Sequence, residues 1–195
     1  MSKALDDAAR AVMAALEKDC CNDLVYGVRT GAGAIAPWPT EPGRFVFLDF
    51  DGVLNSEQSV KDLGTRYRFP ESTIGALNTL LQQRDTQIVI TSTWREVWTL
   101  SEIAGFLDRD GVLPGRVVGS TPLLQETRGL EIDAWLRSAP YPVASFVILD
   151  DHDDMAMHGG RLVQTDPRVG LTRDLADRAI QLLATPWKLA TGPAL

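Results

Sequence analysis

From Phe45 onward, short apolar runs alternate with amphipathic segments, and this alternation is the strongest constraint on the fold. The apolar runs are too short, and too rich in β-branched and aromatic residues, to be buried helices. We therefore predict strands at 45–48, 87–90, 116–118 and 146–149, with a weaker fifth strand at 162–165. Apolar residues at helical spacing predict helices at 71–84, 95–107, 129–138 and 172–184. Strands that alternate with helices are typical of an α/β fold with a parallel sheet.

The N-terminal part of the chain has a different pattern. Residues 3–18 carry apolar side chains on one stripe, which predicts an amphipathic helix. Glycines and closely spaced prolines in residues 31–43 exclude a continuous helix or a central strand. We therefore predict an N-terminal helix and a Gly/Pro-rich linker over 1–43, followed by one α/β domain over 44–195.

Composition excludes several classes of protein. With 26 acidic and 19 basic residues, the net charge of −7 disfavours bulk electrostatic binding to long nucleic acid duplexes. The sequence lacks an apolar run of the roughly 18 residues that a membrane helix needs, and acidic residues come too early for a signal peptide. We therefore expect no membrane attachment and a cytoplasmic location. The only cysteines, Cys20 and Cys21, are adjacent and predict neither a disulfide framework nor a zinc site.

Polar residues follow three of the predicted strands. These segments are 49–52 (DFDG), 91–95 (TSTWR) and 150–154 (DDHDD). Because the carboxyl ends of parallel strands meet at one edge of the sheet, where ligands bind, we expect these side chains to converge. Carboxylates brought together repel one another, so a cation is expected between them. Their oxygen ligands suit Mg²⁺ before Ca²⁺ or Mn²⁺.

Such a site can transfer a phosphoryl group. A carboxylate beside a divalent cation can attack phosphorus, because the metal neutralises the charge that would otherwise hold the two anions apart. A second carboxyl must then protonate the leaving oxygen, and a hydroxyl and a fixed cation must hold the phosphoryl oxygens. The sequence contains a residue of each kind near the predicted strand ends.

Two segments resemble motifs of a known superfamily. Residues 47–55 (FLDFDGVLN) resemble the first motif of the haloacid dehalogenase (HAD) superfamily of Mg²⁺-dependent phosphatases, and 148–151 (ILDD) resemble its acidic fourth motif. Residues 90–95, 127–136 and 170–172 further resemble the small HAD domains of Swiss army knife RNA repair proteins. The resemblance covers about residues 44–185 and implies a three-layer, Rossmann-like HAD core with a parallel sheet.

The resemblance also implies roles for the acidic residues. Asp49 is implied to be the nucleophile and a Mg²⁺ ligand. Asp51 is implied to bind Mg²⁺ through its backbone carbonyl and to act as the general acid and then the general base. Asp151 is implied to be the other protein ligand of the metal, with Asp150 supporting the site and Asp154 as a weaker candidate.

The resemblance identifies the residues of the second and third motifs less directly. The hydroxyl of the second motif is Ser92 or Thr91, and we favour Ser92 although the strand register is open. The third motif of the superfamily is usually a lysine, and Arg128 is the best candidate here. This departure changes the geometry, because a guanidinium is a planar fork rather than a point charge. Arg95 either reaches a substrate phosphate or caps its neighbours.

The segment before the second strand bears on the substrate. Only 35 residues separate Asp51 from Gln87, too few for a full cap domain, so we predict an open site with a minimal cap or none. Within them, residues 61–69 (KDLGTRYRF) alternate cations with aromatic residues. This composition predicts that Arg66 and Arg68 bind the substrate. A solvated hairpin is the alternative.

The predicted function is a Mg²⁺-dependent phosphomonoesterase that acts through an aspartyl-phosphate, on nucleotides or nucleic-acid ends. The alternative is a catalytically silent HAD-like module that binds phosphate or a partner. The N-terminal helix could supply a lid or a homo-oligomer contact, and the sequence leaves both possibilities open.

Overall fold

The computed structural model describes residues 35–37, 41–83, 86–139 and 142–188. The predicted helix at 3–18 and the adjacent cysteines lie outside the described residues, as does most of the predicted linker. The N-terminal extension and its contacts therefore stay predictions.

A single five-stranded parallel sheet organises the described residues, in the strand order β3-β2-β1-β4-β5. The strands are β1 (Gly43–Leu48), β2 (Thr86–Ile90), β3 (Val117–Ser120), β4 (Val143–Asp150) and β5 (Leu162–Gln164). The helices are α1 (Glu57–Leu63), α2 (Glu71–Leu81), α3 (Leu100–Arg109), α4 (Arg128–Ser138) and α5 (Arg173–Ala184). Two 3₁₀ turns cover Thr93–Glu96 and Ala156–Arg161.

Helices cover both faces of the sheet, which gives three layers. Side chains alternate between the faces along each strand. In β1, Val46 and Leu48 pack on the side of α2, α3 and α5. Phe45 and Phe47 pack on the side of α4, where the rings of Phe47 and Trp135 meet edge to face at 5.2 Å. This architecture confirms the predicted α/β, Rossmann-like HAD fold with its parallel sheet.

Two elements differ from the sequence prediction. The helix predicted at 95–107 is split into the 3₁₀ turn and α3, because Thr99 caps α3 in a reciprocal capping box with Glu102. The hairpin alternative for 61–69 is wrong, because α1 covers the first part of this segment. Helix α1 buries only Ser59 and depends on a capping box with Ser56, so it carries no apolar stripe that a periodicity search could detect.

The segment between β1 and β2 contains only α1, a loop and α2. Within the described residues there is accordingly no separate cap domain over the carboxyl end of the sheet, as predicted. None of the described helices combines the length and the apolar character that crossing a bilayer requires.

Candidate active site

Asp49 and Asp150 lie side by side at the carboxyl edge of the sheet. Strands β1 and β4 are neighbours in register, with Leu48 opposite Leu149. Asp49 follows Leu48 and Asp150 follows Leu149. The Asp49 N–H donates to the Leu149 carbonyl at 3.0 Å. Both carboxyl groups are buried. The parallel pairing therefore brings together the acidic residues of two segments about 100 positions apart in the sequence.

The guanidinium of Arg128 lies between these two carboxylates. Its Nη1 is 3.2 Å from Asp49 Oδ1 and 2.9 Å from Asp150 Oδ2, and its side chain is only 14% exposed. Burial lowers the pKa of Arg128, but the charges of Asp49 and Asp150 outweigh burial and raise it overall. Arg128 therefore stays a fixed cation beside Asp49, at the place where the resemblance implies a lysine.

The start of α4 positions Arg128. The Arg128 N–H donates to Asp154 Oδ2 at 3.2 Å, and the Gly129 N–H donates to the Asp154 carbonyl at 3.2 Å. Asp154 thus caps a helix N-terminus, where a carboxylate also interacts favourably with the helix dipole. Gly129 permits this close approach, since a Cβ there would lie 2.1 Å from the Met155 carbonyl carbon. This cap occupies the carboxylate that the sequence suggested as a weaker metal candidate.

Burial and charge together perturb Asp150. Desolvation first, and then the charges of Asp49 and Asp151, raise the pKa of Asp150 to about 7 against the opposing effect of Arg128. The Asp150 Oδ1 atom accepts the His152 N–H at 2.9 Å. The site therefore holds more negative charge than Arg128 alone compensates.

Strand register places Thr91, rather than Ser92, beside Asp49. The Thr91 N–H donates to the Leu48 carbonyl at 3.0 Å, and Arg128 Nη1 lies 3.4 Å from Thr91 Oγ1. Thr91 and Ser92 are both fully buried, but the Ser92 Oγ accepts the Trp94 N–H as the cap of the 3₁₀ turn. Because adjacent residues of an extended chain point to opposite faces, Thr91 and not Ser92 contacts Arg128. The identity of the phosphate-binding hydroxyl stays a prediction.

Asp51 lies at the accessible side of the site. Its side chain is 45% exposed, and its Oδ2 accepts the Trp94 Nε1–H at 3.0 Å. Gly52 adopts a φ of +76°, and a Cβ there would lie 2.6 Å from the carboxyl carbon of Asp151. The Asp151 carboxylate therefore packs directly on the backbone next to Asp51. The hydrogen bond from Trp94 to Asp51 is a contact that the sequence did not predict.

The acidic residues after β4 fit a hard divalent cation. Ligand atoms of Asp150, Asp151 and His152 lie within 4.8 Å of one another. Asp150 Oδ2 and Asp151 Oδ1 are buried and accept no hydrogen bond of normal geometry, although Arg128 Nη1 lies 2.9 Å from the first and His152 Nδ1 lies 3.0 Å from the second. Buried carboxylate oxygens without donors are costly, and a cation would satisfy them. Carboxylate oxygens are the ligands that Mg²⁺ prefers.

Arg95 is directed toward the protein. It forms an ion pair with Glu131, and it donates to the backbone carbonyls of Thr91 and Ser92. Burial lowers the pKa of Arg95, and the Glu131 charge opposes this effect. Of the two roles predicted for Arg95, this placement fits the capping of its neighbours. Arg95, Glu131 and Arg128 line a cleft of about 420 Å³ beside the site.

The two arginines predicted to bind the substrate have different partners in the structure. Arg66 Nη1 lies 4.0 Å from Asp51 Oδ2. Arg68 Nε lies 2.7 Å from Asp110 Oδ1, at the C-terminal end of α3. The structure therefore brings Arg66 to the site and assigns Arg68 a structural partner elsewhere, which the alternation of charges in the sequence could not distinguish.

Comparison with known proteins identifies the family of the chain and a similar fold. No curated protein matches the chain significantly. The HAD domain of effector protein Lem4 from Legionella pneumophila has a similar fold at 13% identity and a TM-score of 0.50, covering 73% of this chain and 96% of that chain. An inactive mutant of the same domain matches with a TM-score of 0.49 at 13% identity, covering 73% and 95% of the two chains. The family model for the HAD domain in Swiss Army Knife RNA repair proteins matches residues 45–176. The chain therefore belongs to this family of HAD domains.

Proposed function

We propose that this protein is a Mg²⁺-dependent phosphomonoesterase that acts through an aspartyl-phosphate on nucleotides or nucleic-acid ends. One observation carries the proposal. The carboxylates of Asp49 and Asp150 share one guanidinium, that of Arg128, at the uncovered carboxyl edge of the sheet. Thr91 completes this arrangement next to Asp49. A nucleophilic carboxylate, a hydroxyl and a fixed cation are the groups that phosphoryl transfer requires.

Each group has one task in the proposed reaction. A carboxylate oxygen of Asp49 attacks phosphorus, and the bond from phosphorus to the leaving oxygen breaks. Asp51 donates a proton to that oxygen. Arg128 and Thr91 hold the non-bridging oxygens of the transferred phosphoryl group. Water then attacks the aspartyl-phosphate, Asp51 accepts its proton, and cleavage of the bond between phosphorus and the Asp49 oxygen releases inorganic phosphate.

Asp49, the backbone carbonyl of Asp51 and Asp151 would hold the proposed Mg²⁺, with Asp150 supporting the site. The packing of Asp151 on Gly52 supports this set of ligands, because it brings the acidic segment 150–154 against the segment 49–52. When bound, Mg²⁺ supplies the positive charge that lets an anionic carboxylate approach an anionic phosphate.

The family and the open site support the substrate class. The matched family takes its description from RNA repair proteins, and no cap covers the site within the described residues. An uncovered edge admits a large substrate such as the end of a nucleic-acid strand. A cytoplasmic location and self-association through residues 3–18 belong to this proposal as well.

A silent HAD-like module is the second candidate. The observation that favours it is an arginine at position 128, where the superfamily usually has a lysine. The surplus of buried carboxylate over cation argues against it, because a binding module gains nothing from such a costly cluster.

Activity measurements on the full chain separate the two candidates. We expect release of phosphate from p-nitrophenyl phosphate and from a panel of mono- and oligonucleotide phosphates, with Mg²⁺ and not with EDTA. Asp49→Asn should abolish turnover, whereas Asp177→Asn, on the exposed side of α5, should keep it. A wild-type protein inactive on the whole panel would leave the silent module as the function. Retained activity in Asp49→Asn would exclude the nucleophile.

A further inference from the structure

Hydrogen bonds and an ion pair hold the loop 64–69, which lies between α1 and α2. At its C-terminal end, the buried carboxylate of Asp110 accepts the Phe69 N–H at 3.0 Å and pairs with Arg68. Burial of Asp110 raises its pKa, but hydrogen bonds from Arg109 and from the Phe69 backbone outweigh burial and lower the pKa overall. Nearer the centre, Asn55 Nδ2 donates to the Arg66 carbonyl at 2.9 Å. The loop is thus tied to the first motif and to α3.

This loop presents two side chains beside the proposed general acid. The Arg66 guanidinium is 59% exposed and lies 4.0 Å from Asp51. Tyr67 is 43% exposed, and its ring centroid lies 5.3 Å from that of Trp94. Trp94 in turn donates to Asp51. Because Asp51 protonates the leaving oxygen in the proposed reaction, the leaving group lies next to Arg66, and Tyr67 is one ring away, on the far side of Trp94.

Aromatic neighbours hold the Tyr67 ring in place. It meets Trp94 and Trp98 edge to face, with a centroid distance to Trp98 of 6.0 Å, and it contacts Phe106 at 6.3 Å. Nearly half of Tyr67 nevertheless stays exposed. A ring that is already fixed can stack with a planar partner at little cost in conformational entropy. An adjacent arginine adds a contact for an anionic group.

We propose that Tyr67 and Arg66 select the leaving group: the base of the phosphorylated nucleotide stacks on Tyr67, and Arg66 contacts the anionic backbone that follows it. This inference rests on the proposed function and narrows its substrate to nucleotides and unpaired strand ends, because a base inside a duplex cannot stack on a protein ring. Arg68 has no part in this recognition, since Asp110 engages it.

The test compares the full chain on two oligonucleotides that differ only in the terminal residue. One carries a 5′-phosphate on a nucleotide with its base, and the other carries it on an abasic residue. For Tyr67→Ala we expect the ratio of kcat/KM on the base-bearing strand to kcat/KM on the abasic strand to fall about tenfold. The change should come from a higher KM for the base-bearing strand, and it equals about 1.4 kcal/mol. Tyr67→Phe should restore the ratio, because it keeps the ring.

A binding measurement gives a second readout. With Asp49→Asn, which cannot turn over, fluorescence anisotropy should show weaker binding of the base-bearing strand when Tyr67→Ala is added. Arg66→Gln should reduce the salt dependence of binding, by a slope of about 0.7 for each backbone phosphate that the arginine neutralises in the wild type. Arg173→Gln removes an exposed arginine on α5 and should leave both properties unchanged.

Three results would overturn the inference. Equal KM changes on the base-bearing and abasic strands would remove the stacking role of Tyr67. A Tyr67→Ala loss confined to a phosphotyrosine peptide would assign the loop to an aryl phosphoester in a protein. Unchanged strand binding in the Tyr67→Ala, Asp49→Asn double variant would also contradict it. Absence of turnover on every phosphomonoester would instead refute the proposed function, and the anisotropy comparison would still decide the role of Tyr67.

Discussion

Replacing Arg128 with methionine should destabilise the fold mainly through charge. Methionine keeps much of the length and apolar contact of the arginine side chain but removes the cation. Its loss leaves the carboxylates of Asp49 and Asp150 facing one another in a buried site. The variant therefore tests whether the acidic edge of the sheet depends on this residue when no metal is present.

The distances give the expected size of the effect. Contacts of 3.2 and 2.9 Å between unit charges correspond to about 5 and about 6 kcal/mol at an effective dielectric constant of about 20, before the cost of burial. Removing one partner of a buried ion pair costs about 3–5 kcal/mol, because the remaining charge is uncompensated. We therefore expect Arg128→Met to lower the free energy of unfolding by about 3–5 kcal/mol at pH 8 in EDTA.

Two conditions should reduce the loss. At pH 5 the loss should shrink, because Asp150, with its pKa of about 7, then carries a proton and less repulsion remains. Saturating Mg²⁺ should also reduce it, because without the Arg128 cation the site binds Mg²⁺ more tightly than the wild-type site does. Each tenfold difference in Kd between the variant and the wild type recovers about 1.4 kcal/mol.

Urea unfolding, followed by circular dichroism, measures these differences. Arg137→Met is a matched control on the same helix, since its half-exposed ion pair with Asp133 should contribute less than about 1 kcal/mol. The reasoning is refuted if Arg128→Met costs no more than Arg137→Met at pH 8 in EDTA, or if its cost is independent of both pH and Mg²⁺.

Two further predictions concern the same edge of the sheet. Because the folded pKa of Asp150 lies above its unfolded value of 3.8, this group contributes stability that is full below pH 4 and is lost as the pH rises through about 7. In EDTA, the stability of Asp150→Asn relative to the wild type should therefore increase from pH 5 to pH 8, and a pH-independent difference in urea unfolding would contradict this. Gly129→Ala should lower the Tm, since a Cβ would lie 2.1 Å from the Met155 backbone and such overpacking costs about 1–3 kcal/mol. Gly159→Ala, with no atom within 4 Å, is the control, and equal Tm values would refute the packing argument.

Chain patterns predicted the layered fold and the place of the site. The apolar runs of β1 and β4 are buried on both faces of the sheet, so burial imposes their composition and the strands are recognisable from the sequence. The acidic segments at 49–51 and 150–151 follow those strands directly. Because parallel strands end at one edge, their convergence followed from the order of elements alone.

Such sequence patterns did not predict the short helix α1 or the contacts made by loop residues. Helix α1 is stabilised by a capping box and not by an apolar stripe, so its residues resemble those of a loop. Arg66 and Arg68 are equivalent by spacing, and only the position of Asp110, more than 40 residues further along the chain, separates them.

The linear order of residues was sufficient to predict the strands, the helices that bury an apolar stripe and the acidic residues at the strand ends, because burial leaves a recognisable pattern in the sequence. The choice of Thr91 over Ser92, the internal pairing of Arg95 and the aromatic contacts of Tyr67 depended on the folded chain. These features are set by pairing register and by contacts between residues far apart in sequence. No local spacing encodes such contacts, because their geometry exists only after the layers have packed.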